Sequence, residues 1–242
     1  MIILTERLQT IADNIEIGER VADIGTDHGY LPLYLFEKNI STKVIMADVS
    51  NGSLLKAKEN CARLFPDKEF DLRLGDGLDV LDNGEVDTVV MAGIGGLLTI
   101  DILDWDISKS LSYKKYILQP RNNGGELRRY LYEHGFKVSK LIIVPENKRL
   151  CEIMVVYSPE NYGGKINSRE ISDYEFEFPD ILKDSCDNNV KNYLQGIKEL
   201  EERIIHNIIV GREEEQEEDP SILDHRCRIE RLDYLLGGNR ED

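Results

Sequence analysis

The sequence predicts a doubly wound α/β sheet followed by an antiparallel helical hairpin of coiled-coil type. Short apolar segments with strand character alternate with helical segments at intervals of roughly 20–30 residues, which is typical of a parallel sheet covered by helices. Acidic or glycine-rich turns follow most of these strands. After Pro159 the strand and glycine patterns stop, and apolar residues recur mostly at helical spacings.

The first strand is the element around which the predicted site is arranged. It covers residues 20–24, follows a short amphipathic helix within residues 4–15, and precedes a helix from about 30 to 38. The turn between strand and helix has the sequence Gly25-Thr26-Asp27-His28-Gly29. A strand, a glycine turn and a helix in this order bring backbone N–H groups and a helix N-terminus to a ligand.

The later elements continue the alternation. Val44–Asp48 and Val86–Ala92 are continuous apolar runs that end at turns, as buried strands do, whereas Phe70–Leu74 alternates. The other predicted elements are a helix ending at residue 64, a helix starting at residue 97, a strand over 116–120, a helix over 126–134 closed by Gly135, and an antiparallel strand pair over 136–144 and 150–157 joined by a polar loop over 145–149.

Acidic residues and glycines follow these strands. Asp48 ends the second strand 25 residues after Asp23, and Gly75-Asp76-Gly77 and Gly93–Gly96 follow the third and fourth strands. Because the carboxyl ends of parallel strands lie at one edge of the sheet, these turns are expected to form a single ligand site. A carboxylate at Asp48 suits a ribose, since it accepts hydrogen bonds from both hydroxyls.

The first turn departs from the dinucleotide fingerprint G-x-G-x-x-G. The position where a second glycine would let the backbone approach a pyrophosphate is occupied by Asp27. A carboxylate there repels a pyrophosphate. The turn therefore favours a phosphate-free ligand such as a nucleoside with an amino-acid tail.

The charge distribution restricts how the protein binds nucleic acid. The net charge is −16, and residues 160–242 contain 11 Lys and Arg against 22 Asp and Glu. Proteins that bind nucleic acid mainly through phosphates are usually basic, so RNA binding requires a local basic patch. The candidates for that patch are Arg7, Arg121, Arg128, Arg129, Lys137, Lys140, Lys148 and Arg149. The alternative is a scattered set of solvated charges.

The composition gives no indication of a membrane or a metal partner. No uncharged apolar run reaches the roughly 18 residues of a membrane span, and the N-terminus lacks the pattern of a signal peptide. The cysteines at positions 61, 151, 186 and 227 form no C-x-x-C pair. This spacing is expected of reduced thiols in a cytoplasmic protein without a structural zinc site.

The C-terminal part is predicted to be helical. Apolar residues recur along 190–208 and again along 222–236, and the acidic run Glu213–Asp219 lies between them as a solvated connector. We therefore predict two domains, a ligand-binding domain over 1–160 and a helical coiled-coil domain over 161–242. The hairpin could pack on the first domain, dimerise or hold a substrate; a monomer is slightly favoured.

Three blocks of sequence together resemble one family. They are Ala22–Pro32 (ADIGTDHGYLP), Met91–Gly96 (MAGIGG) and Leu118–Asn122 (LQPRN), and the acidic helical extension is also similar. The chain resembles, over essentially its whole length, the bacterial tRNA adenine-22 N1-methyltransferases. This resemblance implies a Rossmann-like class I methyltransferase domain with a C-terminal helical hairpin, S-adenosyl-L-methionine as cofactor, and tRNA as the RNA-binding partner, methylated at N1 of an adenine in the D-loop region.

The resemblance also implies roles for individual residues. The cofactor-binding residues it implies are Asp23, Gly25, Asp48, Val49, Gly75, Asp76, Gly77, Ala92, Gly93 and Gly95. Asp27 and His28 are the catalytic candidates, with Asp27 on the substrate side. The candidate substrate contacts are Tyr30, Gln119, Arg121 and Asn122. Methyltransferases that act on the exocyclic nitrogen of adenine carry a [DN]-P-P-[YF] box after the fourth strand. This chain has Ala92-Gly93-Ile94-Gly95 there instead. That difference fits a ring nitrogen as the methylation target, because a ring nitrogen already offers an in-plane lone pair.

Each assignment has a structural alternative. Asp27 could cap the helix that starts near residue 30, His28 could only fix its loop, and Asp48 could cap the helix that follows it. Asp76 could be an ordinary turn aspartate, and the glycine run only a tight strand-to-helix turn. Tyr30 could belong to the core, and the amides after strand five could be satisfied within their own turn.

Three other functions compete with RNA methylation as explanations of the sequence. A class I methyltransferase of another RNA, a small molecule or a protein agrees with the overall acidity. A nucleotide-binding or NAD-dependent oxidoreductase is disfavoured by Asp27 in the glycine turn. A non-catalytic scaffold is disfavoured because it would not need a ligand site built from four separate turns.

Overall fold

The strands form one mixed sheet. The computed structural model describes residues 1–41, 43–161, 171–183, 185–210 and 219–237. Within these residues the sheet has seven strands in the order β3-β2-β1-β4-β5-β7-β6. The strands are β1 (Val21–Ile24), β2 (Val44–Asp48), β3 (Asp71–Leu74), β4 (Thr88–Ile94), β5 (Lys115–Pro120), β6 (Lys137–Glu146) and β7 (Arg149–Tyr157). The first five are parallel, and β7 runs antiparallel to both of its neighbours.

Helices connect the strands in the order that the alternating pattern predicts. They are α1 (Glu6–Asp13), α2 (Tyr30–Glu37), α3 (Asn51–Leu64), α4 (Gly96–Asp104), α5 (Ile107–Ser112), α6 (Gly124–Glu133), α7 (Asp173–Glu177), α8 (Asn188–Val210) and α9 (Pro220–Leu235). The doubly wound class is confirmed. The short helices α5 and α7 were not predicted, because six and five residues are too few to show a helical period.

The core lies where the apolar runs predicted it. β1 and β5 are buried along their whole length, as are the first four residues of β2 and of β4. Helices cover both faces of such strands, which removes the alternation of exposed residues. The edge strand β3 remains partly exposed. This rigid sheet fixes the position of every turn at its carboxyl edge.

The β6–β7 hairpin is tighter than predicted. The loop expected over 145–149 is reduced to Asn147 and Lys148, because Glu146 and Arg149 are paired in the ladder. Asn147 has a left-handed backbone (φ 57°), which asparagine tolerates better than most residues. The polar composition of this segment indicated a loop, whereas strand pairing over most of its length decided the structure.

The chain divides into two compact units, Met1–Asn167 and Ser168–Asp242. In the second unit α8 and α9 are antiparallel, since Lys198 lies beside Asp233 and Glu201 beside His225 and Arg228. Val190, Leu194, Ile222 and Leu232 are buried as their spacing predicted, but Leu235 replaces Leu236 in the core. The predicted turn 161–164 and connector 213–219 lie largely outside the described residues.

Candidate active site

The predicted site residues lie at the point where the strand order reverses. β1 and β4 are neighbours in the sheet, with β2 and β3 on one side and β5 on the other. In open α/β sheets the turns after two such strands diverge to opposite faces and leave a crevice that binds ligands. The turns after β1, β2, β3, β4 and β5 carry most of the predicted residues.

Asp23 is a buried carboxylate at this edge. Its side chain accepts a hydrogen bond from the Thr26 hydroxyl at 2.8 Å, and no lysine or arginine of the described chain forms an ion pair with it. Burial raises the pKa of Asp23 to about 6, against the Thr26 hydrogen bond and the positive charge of Arg7, which lower it. Such a carboxylate is prepared for a cationic ligand, because a cation would offset the cost of burying its charge.

Asp27 lies exposed at the tip of the first turn. Its backbone is left-handed (φ 46°), and its N–H donates to Oδ2 of Asp48 at 3.3 Å. Its carboxylate lies 3.2 Å from the Lys56 ammonium and 3.4 Å from Nε2 of His28. Gly29 occupies the N-cap of α2 without any side-chain cap, so Asp27 does not cap that helix. The Asp27 carboxylate is therefore exposed to solvent, with Lys56 and His28 beside it.

His28 and Tyr30 form an aromatic surface next to Asp27. Their rings are stacked, with centroids 5.7 Å apart and planes 15° from parallel. Tyr30 is 40% exposed, so it is not a core tyrosine. The His28 carbonyl accepts a hydrogen bond from Asn60 at 3.0 Å, which fixes the turn against α3. The two stacked rings therefore lie in the turn after β1, and Tyr30 is partly exposed.

Asp48 connects the turns after β1, β2 and β3. Its Oδ1 accepts from the Ser50 N–H at 2.8 Å, its Oδ2 accepts from Asp27, and its carbonyl accepts from the Gly75 N–H at 3.2 Å. The N-cap of α3 is Ser50, so Asp48 is not the capping residue. Each carboxylate oxygen has two lone pairs and one such partner, which leaves acceptor capacity for a ligand.

The predicted neighbours of Asp48 are accessible. Val49 is 70% exposed, and Asp76 is exposed directly after Gly75. Asp76 makes no side-chain cap to the short 3-10 turn Gly77–Val80, so its carboxylate is not used to start that turn. These residues lie together at the β2–β3 end of the crevice.

The glycine run after β4 packs against the turn after β5. Gly93 has φ 78°, and a Cβ there would lie 3.7 Å from the Arg121 guanidinium. A Cβ at Gly96 would lie 2.4 Å from the Asn123 carbonyl oxygen, which excludes any side chain. The Gly96 N–H donates to the Asn122 carbonyl at 3.1 Å. Gly93 and Gly95 therefore present backbone without a side chain, directly after Ala92, and a ligand can approach it closely.

The residues after β5 differ in their availability. Arg121 and Asn122 are exposed, and Asn122 Oδ1 would lie 3.2 Å from a Cβ at Gly95. Gln119 is 3% exposed, its Nε2 donates to the Pro120 carbonyl at 2.9 Å, and its Oε1 accepts from Arg7 at 3.1 Å. The amide of Gln119 is thus satisfied within the protein, which was the alternative to its binding a base.

Ion pairs reduce the predicted basic patch. Arg7 lies 2.5 Å from Glu146, and the buried Arg128 lies 2.5 Å from Glu152. Lys140 donates to Asn14 at 3.0 Å. Arg7 and Arg128 thus face carboxylates that their sequence positions alone do not reveal, and Lys140 has only a neutral partner. The patch as a whole stays a prediction. Arg121, Lys148 and Arg149 remain exposed near the β5 and β6–β7 turns.

Sequence reasoning did not identify Lys56, the ion-pair partner of Asp27, which belongs to no glycine or acidic motif. Arg7 was predicted as a phosphate contact, whereas in the structure it donates to Gln119 at the carboxyl end of β5. Lys56 could have been found only from its position on the first turns of α3, the helix that follows Asp48.

The fold and the site together define a class of protein. The antiparallel β7 between β5 and β6 differs from the all-parallel order of dinucleotide-binding domains. With acidic and glycine turns at the switch point, this is the arrangement expected of a class I methyltransferase domain. The family model described as "Methyltransferase domain" matches residues 4–154. The chain belongs to the methyltransferase domain family.

Individual relatives agree with this family. The chain is 34% identical over 152 residues to the tRNA (adenine(22)-N(1))-methyltransferase of Bacillus subtilis, and the match covers 63% of this chain and 64% of that protein. The solved structure of the B. subtilis tRNA methyltransferase TrmK has a TM-score of 0.82 at 25% identity, covering 98% and 100% of the two chains. Sp1610 of Streptococcus pneumoniae, solved in complex with S-adenosyl-L-methionine, has a TM-score of 0.80 at 24% identity, covering 97% and 100%.

No group of three or more His, Cys, Asp or Glu side chains suited to a metal ion occurs in the described part of the chain. Among the same residues, no helix is both long enough and apolar enough to cross a membrane.

Proposed function

We propose that this protein transfers a methyl group from S-adenosyl-L-methionine to N1 of an adenine in tRNA. The observation that carries the proposal is the likeness to the B. subtilis tRNA (adenine(22)-N(1))-methyltransferase within a shared methyltransferase family. The crevice at the switch point supplies the chemistry that this reaction needs. We place the activity in the cytoplasm, as the unpaired cysteines predict.

The residues at the crevice fit the cofactor. Asp48 has free acceptor capacity for two ribose hydroxyls, and Asp23 is a buried carboxylate without an ion-pair partner in the described chain. The backbone at Gly93 and Gly95 lacks side chains that would block a ligand. The Asp27 carboxylate disfavours a pyrophosphate. These features support an adenosine with a charged amino-acid tail rather than a dinucleotide.

Asp27 is the proposed catalytic residue. When bound, the cofactor supplies a methyl group activated by a sulfonium. Adenine N1 carries an in-plane lone pair, so its attack needs no base, but methylation leaves a positive charge on the ring. An exposed carboxylate stabilises that charge or accepts a proton from N6. His28, 3.4 Å from Asp27, can pass the proton to solvent.

The acceptor adenine must be unpaired before it reacts. N1 lies on the Watson–Crick edge, so the base has to leave its pair or already lie in a loop. Tyr30, stacked on His28, offers an aromatic face for the extruded base. Arg121 lies beside Gly93, and Asn122 lies beside Gly95. These two side chains are the proposed polar contacts to the base.

The domain organisation is part of the proposal. We infer that residues 1–160 form the cofactor-binding methyltransferase domain and that residues 161–242 form a helical coiled-coil domain. The two compact units and the antiparallel α8 and α9 support this division. A monomer is the proposed oligomeric state.

The direct test uses the purified protein, labelled S-adenosyl-L-methionine and an unmodified tRNA transcript with adenine at position 22. We expect label in the RNA and a reverse-transcription stop at that adenine, because a methyl on N1 blocks base pairing. A transcript with guanine at position 22 serves as the matched control and should give neither. Transfer to both transcripts alike, or to neither, would refute the proposed acceptor.

A further inference from the structure

The middle of α3 packs closely against the turn that carries Asp27 and His28. Gly29 makes this approach possible, because a Cβ there would lie only 3.3 Å from the Ala57 Cβ and 3.1 Å from the Met46 sulfur. Ala57 is itself fully buried on α3. The helix face that contains Ala57 therefore lies within side-chain reach of the two catalytic candidates.

Asn60 holds the backbone of this turn. Its Nδ2 donates to the His28 carbonyl at 3.0 Å, and its Oδ1 accepts from the Arg63 guanidinium at 2.8 Å. A guanidinium only donates and a carbonyl only accepts, so these two partners fix which end of the amide faces the turn. Asn60 is also buried. Its contact with the turn is thus oriented by a second side chain and shielded from solvent.

Lys56, one helical turn before Asn60, reaches the side chain of Asp27. Its ammonium lies 3.2 Å from Oδ1 of that carboxylate, whereas Oδ2 lies 3.4 Å from Nε2 of His28. Residues four apart share one face of a helix, so the same face of α3 contacts both the backbone and the carboxylate of the turn. A carboxylate has about four lone-pair sites, which leaves acceptor positions for a substrate.

The two halves of the turn are held by different elements. The N–H groups of Gly25 and Thr26 both donate to the Ala47 carbonyl, at 2.8 and 3.0 Å, which ties the first half to β2. The second half, Asp27 and His28, has the contacts from α3 described above. The position of the catalytic candidates therefore depends on side chains of α3 as well as on the sheet.

We propose that Lys56 and Asn60 are positioning residues for methyl transfer, Lys56 for the Asp27 carboxylate and Asn60 for the backbone of the same turn. This inference rests on the proposed function, in which Asp27 faces the ring that becomes positively charged. A carboxylate held in one orientation stabilises that charge better than one that rotates freely, because its ordering is complete before the reaction. Neither positioning residue touches the substrate in this proposal.

A phosphate contact is the competing explanation for Lys56, since an exposed lysine beside an RNA site can bind the RNA backbone. The geometry favours positioning. The adenine edge with N1 and N6 faces away from the phosphate of its own nucleotide, and Lys56 contacts the carboxylate that is proposed to face this edge. A phosphate contact would weaken RNA binding and leave the turnover of bound RNA unchanged, whereas loss of a positioning residue lowers turnover.

The test of Lys56 compares Lys56→Gln with Lys58→Gln in steady-state methylation of the tRNA transcript. Lys58 is exposed two residues further along α3, on another face of the helix, and its replacement removes the same charge. We expect Lys56→Gln to lower kcat by about tenfold with a KM for tRNA within about twofold of the wild type. Lys58→Gln should match the wild type, and Lys56→Arg should recover most of the rate because the charge is kept. The thermal unfolding of Lys56→Gln should be unchanged, since an exposed ion pair adds little stability.

Asp27→Asn provides the internal check on Lys56. In that background Lys56→Gln should change the rate by less than about twofold, because no carboxylate is left to orient. A Lys56 effect that persists without the Asp27 carboxylate would overturn the assignment. A raised KM for tRNA with an unchanged kcat would overturn it in favour of the phosphate contact.

Asn60→Ala tests the backbone contact. We expect its kcat to fall by about tenfold, while its calorimetric affinity for S-adenosyl-L-methionine stays within about threefold of the wild type. A wild-type kcat in this variant would overturn the role of Asn60. Should Asn60→Ala fail to fold by circular dichroism, Arg63→Ala frees the Asn60 amide to rotate, and an unchanged kcat there would count against the role equally. A wild-type protein that transfers no methyl group to the transcript would instead refute the proposed function itself.

Discussion

At the scale of single residues, Asp27 combines a strained backbone with an exposed carboxylate. A left-handed conformation costs of order 1 kcal/mol for most non-glycine residues, and aspartate and asparagine adopt it more readily than the others. In this conformation the Asp27 carboxylate lies 3.2 Å from the Lys56 ammonium. The conformation is kept because Asp48 accepts the Asp27 N–H.

The Asp27 assignment predicts a loss of activity without a loss of cofactor. Asp27→Asn keeps a residue that tolerates φ 46° and removes only the charge. We expect its methyl-transfer rate to fall by about 100-fold or more, the usual contribution of a positioned acid or base. Cofactor affinity, measured by calorimetry, should stay within a few-fold. Normal turnover of this variant would show that the Asp27 carboxylate has no catalytic role and that Asp27 serves only in the turn.

The raised pKa of Asp23 predicts that the stability of the protein depends on pH. Its pKa of about 6 in the folded protein lies above its ordinary value of 3.8, so the ionised form is destabilised by burial. The contribution of Asp23 to the free energy of unfolding is therefore most favourable below pH 3.8 and is lost as the pH rises through about 6. Between these two limits the free energy of unfolding falls by about 3 kcal/mol. Arg7 and Asp48 are the charged groups that modify this value.

Asp23→Asn tests that pH dependence. At pH 7.5 we expect urea unfolding of the cofactor-free variant to show a free energy about 2 kcal/mol higher than that of the wild type, because no charge is buried. At pH 4 the two should nearly coincide, which is the internal control. Cofactor affinity should fall, since a positively charged cofactor loses the negative charge of a buried carboxylate at the site. Lower stability of the variant at pH 7.5 would contradict this account of Asp23.

At the scale of elements, the site depends on contact between the β4–α4 and β5–α6 turns. Gly96 begins α4 under the carbonyls of Asn122 and Asn123. Gly96→Ala would place its Cβ 2.4 Å from a backbone oxygen that cannot rotate away. We expect a loss of about 2 kcal/mol in the free energy of unfolding, together with weaker cofactor binding.

Gly52→Ala is the matched control for that substitution. Gly52 lies in the first turn of α3, and a Cβ there would meet only the Ser50 hydroxyl at 3.6 Å. Since alanine favours the helix, the variant should be neutral or stabilised by up to about 1 kcal/mol. If Gly96→Ala and Gly52→Ala lowered the free energy of urea unfolding by similar amounts, the close contact at Gly96 would not be the cause of the loss.

The helical unit contains a buried acidic residue that the apolar pattern did not reveal. Glu201 on α8 is 5% exposed and contacts His225 and Arg228 on α9. Glu201→Ala should destabilise this unit by about 2 kcal/mol or more, because two polar partners lose their acceptor. Thermal unfolding followed by circular dichroism measures the change. Glu202→Ala, at an exposed neighbouring position, should shift it by about 0.5 kcal/mol at most.

At the scale of the whole molecule, the net charge of −16 limits how RNA is held. The exposed cations near the crevice are few, and Arg7 and Arg128 are used in ion pairs. Each phosphate contact contributes a slope of about −0.7 to −0.9 in a plot of log affinity against log salt. A protein with three such contacts should therefore show a shallow slope of about −2 to −3.

Filter binding of tRNA at several salt concentrations checks this value. Replacing Arg121, Lys148 and Arg149 together by glutamine should flatten the plot, whereas replacing Arg63 on the last turn of α3 should not. A slope steeper than about −5 would mean that a larger cationic surface binds the RNA. An unchanged slope in the triple variant would place the phosphate contacts elsewhere.

Much of this protein could be predicted from local sequence. Apolar runs defined the strands, since a strand covered on both faces must be apolar along its length. Asp48, Gly75 and Gly93 were expected at one edge because the carboxyl ends of parallel strands meet there. Helices of five or six residues, such as α7 and α5, were missed because so short a segment has no distinctive period.

Only the tertiary structure decided which charges meet. Arg7 and Glu146 are 139 residues apart in the chain, and the packing of α1 against β6 brings them together. Likewise Asp27 meets Lys56 because α2 and α3 pack side by side. The sequence determined the strands, the turns and their acidic and glycine residues, since these follow from local geometry and burial. Ion-pair partners follow from the packing of distant segments, which no local pattern encodes.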